Sequence, residues 1–125
     1  MKLFTLLIFA ISSTCIAQPQ TTYTLKGVVV DRYNTPISNC SVYEKATENA
    51  STTNNCGEFK YTTYENQITL GFNSTLFKPF EKKIDLKSLP LTEWVVFKLN
   101  TKITAKTNCN EVRLKGKVIK VTKVK

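Results

Sequence analysis

Cys40, Cys56 and Cys109 are the residues of this chain with the most distinctive chemistry, and histidine is absent altogether. Three thiols in an oxidising compartment make one disulfide and leave one cysteine over. Dispersed as they are, and without a histidine, they do not form a zinc set. The missing imidazole also removes the commonest general base and every triad built on it. Catalysis by Ser/Lys or by paired carboxylates stays formally open, but the acids are scattered among turns and outward positions. Asp31 and Glu58 read as a turn residue and a strand-surface residue. No glycine-rich phosphate loop is present. The expectation is a chain without enzymatic activity, cofactor or metal.

A fourth cysteine, Cys15, belongs to the start of the chain. Lys2 precedes an apolar run from Leu3 to Ile11, and small residues follow as Ser12-Ser-Thr-Cys-Ile-Ala17 ahead of Gln18-Pro19. That order is the secretory signal peptide, with Cys15 and Ala17 at the −3 and −1 positions and cleavage between Ala17 and Gln18. The apolar run is shorter than the ~20 residues of a spanning helix. Acylation of Cys15, as in a lipoprotein, is the alternative, but Ser12-Ser13-Thr14 lacks the leucine usual three residues before such a cysteine. Residues 1–17 are thus expected to be removed on export.

The elements that must position the remaining side chains are strands. Thr, Val, Ile, Tyr and Phe dominate the mature chain, interrupted at short intervals by Asn, Gly, Pro and Ser. Tyr23 to Asp31 reads as a first strand carrying Val28-Val29-Val30. Arg32 to Pro36 is a turn in which Asn34 tolerates left-handed geometry. Cys40 to Lys45 points Cys40 and Val42 inward, and Ala46 to Ser51 reads as a polar connection. Thr52 to Gly57 is a tight turn, and Glu58 to Thr63 puts Phe59 and Tyr61 on one face. Ile68, Leu70 and Phe72 point inward, followed by Phe77, Phe80, Ile84 and Leu86. Leu86 to Pro90 reads as one helical turn, and Val95, Phe97 and Leu99 share a face opposite Trp94. Six or seven strands at this spacing predict an all-β, antiparallel β-sandwich.

Charge is distributed unevenly. Residues 18–97 hold eight Lys/Arg and eight Asp/Glu, whereas residues 98–125 hold nine Lys/Arg against Glu111 alone. The basic tail alternates cations with Val112, Leu114, Val118, Val121 and Val124 and has no aromatic interleaving for base stacking. Export also separates it from the genome, so nucleic acid is not expected as a partner. An exposed edge strand or linker kept soluble by lysines is the simpler reading. The sandwich is expected to occupy 18–100. Residues 101–125 are expected to form a basic linker or strand, making this the N-terminal portion of a larger envelope protein.

Three stretches together spell a known pattern: Gly27-Val-Val29-Val-Asp31, then Asn34-Thr-Pro36-Ile37-Ser-Asn-Cys40-Ser-Val42, then Thr53-Asn-Asn-Cys-Gly57-Glu-Phe59. They resemble the carboxypeptidase-like regulatory domain, whose fold is a prealbumin-like Greek-key sandwich, over roughly residues 23–99. The family prefers Gly where Asn34 stands and Gly-Ala at Asn39-Cys40. Its motif residues build a fold and catalyse nothing. In outer-membrane receptors of the TonB-dependent type such a domain precedes the plug, and Asn108 to Leu114 resembles that junction. The resemblance therefore implies an accessory domain on the periplasmic side of the outer membrane, serving nutrient uptake through protein partners of the envelope. Within such a sandwich Cys40 and Cys56 are expected to be neighbours and to pair, leaving Cys109 free or paired elsewhere. Alternatively, Cys40 is a small buried residue in place of Ala. A free-standing secreted or periplasmic module is the other reading, with Tyr43, Tyr64 and Trp94 stacking on carbohydrate. Half-buried strand aromatics account for these rings more simply.

Overall fold

Three consecutive valines at the end of the first strand set the plan of the molecule. A strand covered on one face alternates apolar with polar residues, whereas one buried on both faces reads as a continuous apolar run. Val28, Val29 and Val30 are all fully buried. The computed structural model describes residues 21–103 and 108–121. The signal-peptide cleavage point between Ala17 and Gln18, and Cys15, lie outside the described residues.

Among the described residues the strands are β1 (Tyr23–Val30), β2 (Ser41–Glu44), β3 (Ala50–Thr52), β4 (Glu58–Thr63), β5 (Gln67–Ser74), β6 (Phe77–Asp85), β7 (Val95–Leu99) and β8 (Val118–Val121), with one 3-10 turn at Leu86–Ser88. They form an all-β sandwich of two four-stranded sheets, ordered β4-β1-β7-β8 and β3-β2-β5-β6. The second sheet is antiparallel throughout. The first corrects the expectation of an antiparallel sandwich, for it is mixed: β1 pairs antiparallel with β4 but parallel with β7, and β7 pairs parallel with β8. Parallel neighbours need long connections, and the excursion through the other sheet between β1 and β7 supplies one.

Two elements depart from the sequence reading. Ala50–Thr52, within the expected polar connection and the turn after it, is a three-residue edge strand on β2. Its residues are exposed or half-buried, so no apolar alternation announces it. The larger difference lies beyond residue 100. Val118–Val121 pairs with β7, Val121 is buried in the main core, and Ile103 is buried there too. The sandwich therefore extends past its expected end, because β7 would otherwise be a sheet edge and the valines of β1 would lack a cover.

Between the sheets, Phe59 of β4 and Phe97 of β7 meet Phe72 of β5, with ring centroids 5.3–6.5 Å apart. Leu25, Val29, Val42, Leu70, Phe80 and Leu99 complete this core. On the outer side of the first sheet a second cluster of Val28, Val30 and Val96 is covered by Trp94 and Val112. Val112 lies in the basic tail, which is strapped across this face. Arg113 Nε donates to Glu58 Oε2 at 3.0 Å. Gly116 has φ 134°, and a Cβ there would collide with the Trp94 carbonyl, so the passage toward β8 requires glycine.

The strap is fixed covalently. The disulfide joins Cys56 to Cys109, with Cα atoms 4.8 Å apart. This corrects the expected Cys40–Cys56 pair. Cys40 points into the core and is free, whereas Cys56 sits on the turn before β4, where the returning tail passes. Burial pushes the Cys40 thiol up to about 12, so it stays protonated and unreactive at ordinary pH.

Phe59→Ala removes one ring of the inter-sheet trio and is expected to cost roughly 3–5 kcal/mol in urea unfolding; a near-neutral result would contradict the packing of β4. Peptide mapping without reductant is expected to recover Cys56 linked to Cys109, with Cys40 alkylated only after denaturation. A Cys40–Cys56 peptide would overturn this assignment. Removing the bridge by Cys56→Ser with Cys109→Ser is expected to destabilise the fold by about 2–4 kcal/mol.

Candidate functional site

The motif residues converge on the corner where β1 leaves its sheet, and each polar group there is engaged by backbone. Asp31 is buried. Its Oδ1 accepts from the amides of Tyr33 and Thr35, both at 2.8 Å, and its Oδ2 from the amide of Ile103 at 3.1 Å. One carboxylate thus organises the turn after β1 and ties it to the chain leaving β7. Asn34 and Asn39 take positive φ, 65° and 55°. Asparagine tolerates that region better than other non-glycine residues, which is how this chain dispenses with glycine at those two turn positions.

The rest of the motif is equally structural. Pro36 bridges Val30, and the Ile37 amide donates to the Val29 carbonyl at 2.9 Å. Thr53 Oγ1 donates to the Ile37 carbonyl at 2.6 Å and accepts from the Cys40 amide at 2.9 Å. Gly57 adopts φ 75° in the turn that Asn54 Oδ1 closes by accepting from the amides of Cys56 and Glu58. Gly27 lies beneath the Phe59 ring, and Val29, Val42 and Phe59 belong to the main core.

The candidate stacking aromatics are not brought together. Tyr43 lies on the outer face of the second sheet, its ring across Gly71, its partner on β5. Trp94 lies on the outer face of the first sheet, half-buried over Val28, Val30 and Val96. The Trp94 ring also carries two cations, Arg113 at 5.1 Å and Lys26 at 5.7 Å from its centroid. Tyr64 is exposed next to β4, on neither face's aromatic. Three separate rings stand where one platform was considered.

One polar cluster escaped the sequence reading. Glu44 of β2 is buried between the sheets and accepts from Tyr61 Oη at 2.7 Å. Thr47 Oγ1 and Thr63 Oγ1 also donate to it, at 3.3 and 3.5 Å. The signal was present: strand alternation that turns Cys40 and Val42 inward turns Glu44 inward as well, toward the face that holds Tyr61. The cluster closes on itself, spanning the sheets and leaving the carboxylate well supplied with donors. Burial, then the hydrogen bond to Glu44, raises the Tyr61 phenol above its ordinary range. Beside it an open cleft of about 520 Å³ is lined by Glu44, Lys45, Thr47, Gln67 and Lys83, among others. Among the described residues, no group of three or more His, Cys, Asp or Glu is placed to hold a metal ion.

Comparison of the chain with protein-family models and with curated proteins finds no match to either.

A phenol whose folded pKa is raised contributes stability that is complete below its unfolded value, about 10, and is lost as pH rises through the folded value. Between the two, the unfolded chain releases a proton that the folded one keeps. Tyr61→Phe is therefore expected to be destabilised at neutral pH and to show a shallower decline in stability above about pH 10 than the parent. Parallel alkaline unfolding curves for the two proteins would show that the Glu44–Tyr61 contact does not hold in solution.

Proposed function

We propose that this chain is a non-catalytic, exported β-sandwich module that works by presenting its surfaces to protein partners in the cell envelope. The observation that carries this reading is the use of the motif's polar groups. Among the described residues Asp31 and Thr53 bond through their side chains to backbone alone, which gives the motif a structural task. The Cys56–Cys109 bridge supports export, since structural disulfides belong to oxidising compartments. Among the described residues no helix is long and apolar enough to cross a membrane.

More specifically, the likeness of residues 23–99 to the carboxypeptidase-like regulatory domain supports an accessory domain of a TonB-dependent-like receptor. It would sit on the periplasmic side of the outer membrane and contribute to nutrient uptake or its regulation. Its partners would be the remainder of the receptor and energy-transducing or accessory proteins. A second reading is favoured by the strap: residues 108–121 serve the sandwich itself, as expected of an independent secreted or periplasmic module that binds protein or carbohydrate.

An immunoblot of fractionated source cells, probed with antibody against residues 21–103, separates the two. The receptor reading expects an outer-membrane band far larger than the 14.2 kDa of this chain. A soluble band at the size of the mature chain, somewhat below 14.2 kDa, would reject the receptor and retain the independent module.

A further inference from the structure

Two cations of the basic tail are brought together at one place. Lys98 of β7 and Lys120 of β8 stand directly opposite each other in the parallel register, and Lys98 is likewise opposite Val30 of β1. Strand alternation puts all three on the outer face of the first sheet, and Arg32, in the turn that follows β1, reaches the same place. An open cleft of about 360 Å³ lies among them, lined by Arg32, Lys98, Leu99, Asn100, Lys120 and Val121. Its floor is well held. The Arg32 amide donates to the Thr101 carbonyl at 2.9 Å, and the Asn100 amide to the Val121 carbonyl at 3.2 Å.

Among the described residues these cations form no ion pair with an acid. Among the described residues the ion pairs are Lys45–Glu81 and Arg113–Glu58, both elsewhere. Asp31, the acid adjoining Arg32, is buried and directs both oxygens to backbone amides. A fourth cation, Lys102, stands 5.6 Å from the centroid of the exposed Tyr33 ring, and Arg32 stands 5.2 Å from it. Like charges directly opposite on neighbouring strands are destabilising. A bound anion converts that repulsion into attraction, and guanidinium beside ammonium is the combination suited to phosphate oxygens.

We infer that the cleft between Arg32, Lys98 and Lys120 is a binding site for a phosphate-class oxyanion. The inference goes beyond the module's proposed role and rests on this chain's residues alone. Arg32 supplies a planar pair of donors, Lys98 and Lys120 supply point charges from the facing strands, and Lys102 with Tyr33 forms the rim. The phosphate comes either from a soluble compound or from a lipid headgroup.

The test is titration calorimetry of the purified protein, disulfide intact, with pyrophosphate at physiological chloride. A parallel arm measures sedimentation with phosphatidylglycerol vesicles against phosphatidylcholine vesicles. Saturable pyrophosphate binding, weakened at least tenfold in both Arg32→Gln and the Lys98→Gln/Lys120→Gln double variant, supports the site with a soluble source. Binding to the anionic vesicles alone, weakened in the same variants, supports it with a lipid source. Thermal melts confirm that these variants fold. Lys82→Gln/Lys83→Gln, which removes equal charge from the other sheet, is expected to bind as the parent does. An equal loss in that control, or no binding in either arm, overturns the site.

Discussion

The requirement that both faces of β1 be covered governs this molecule. In a two-layer sandwich each sheet gives one face to the core and the other to water. Val28-Val29-Val30 carries no polar side to offer. Val29 takes the inner layer with Phe59 and Phe97, while Val28 and Val30, joined by Val96, need a second cover. Trp94 and Val112 provide it, and Val112 can do so only if the chain returns over the sheet after β7. The disulfide, the Arg113–Glu58 contact, the glycine at 116 and β8 all serve that return.

The strap changes the meaning of the basic tail. Read along the chain, residues 98–125 are an excess of lysine with strand-like alternation. In space the described part of that excess is laid against a sheet that ends in the paired strands β7 and β8. The same alternation that buries Val121 directs Lys120 outward beside Lys98. The facing of Lys98 and Lys120 is thus a consequence of the strap's register, while just before β7 Trp94 serves separately as a surface for Lys26 and Arg113.

Polar groups in the interior follow a consistent rule. Buried oxygens cost free energy unless bonded, and each such residue here serves as a local organiser. Asp31 joins the first turn to the chain after β7, Thr53 joins the Ile37 and Cys40 segments, and Glu44 holds Tyr61 and Thr63 across the sheets. These are cross-links within the fold, supplementing an aromatic core of modest size. Cys40 is the apolar counterpart, a buried thiol with no chemistry at ordinary pH.

Sequence alone determined the all-β class, the positions of β1, β4, β5 and β7, the inward parity of Phe59, Phe72 and Phe97, and the turns at Asn34 and Gly57. Each of these is written in nearest-neighbour terms: period-two alternation, and residues that accept positive φ. The valine run reads along the chain only as part of a first strand, and its need for two covers became plain with the structure. What could not be read was the identity of the cover, because Cys56 and Cys109, 53 residues apart in the chain, become neighbours only after both sheets have formed. The β8 pairing, the dispersal of Tyr43, Tyr64 and Trp94, the Glu44–Tyr61 contact and the Arg32–Lys98–Lys120 cleft depend on sheet order. Local pattern fixes which way a side chain points, while tertiary structure decides what it points at.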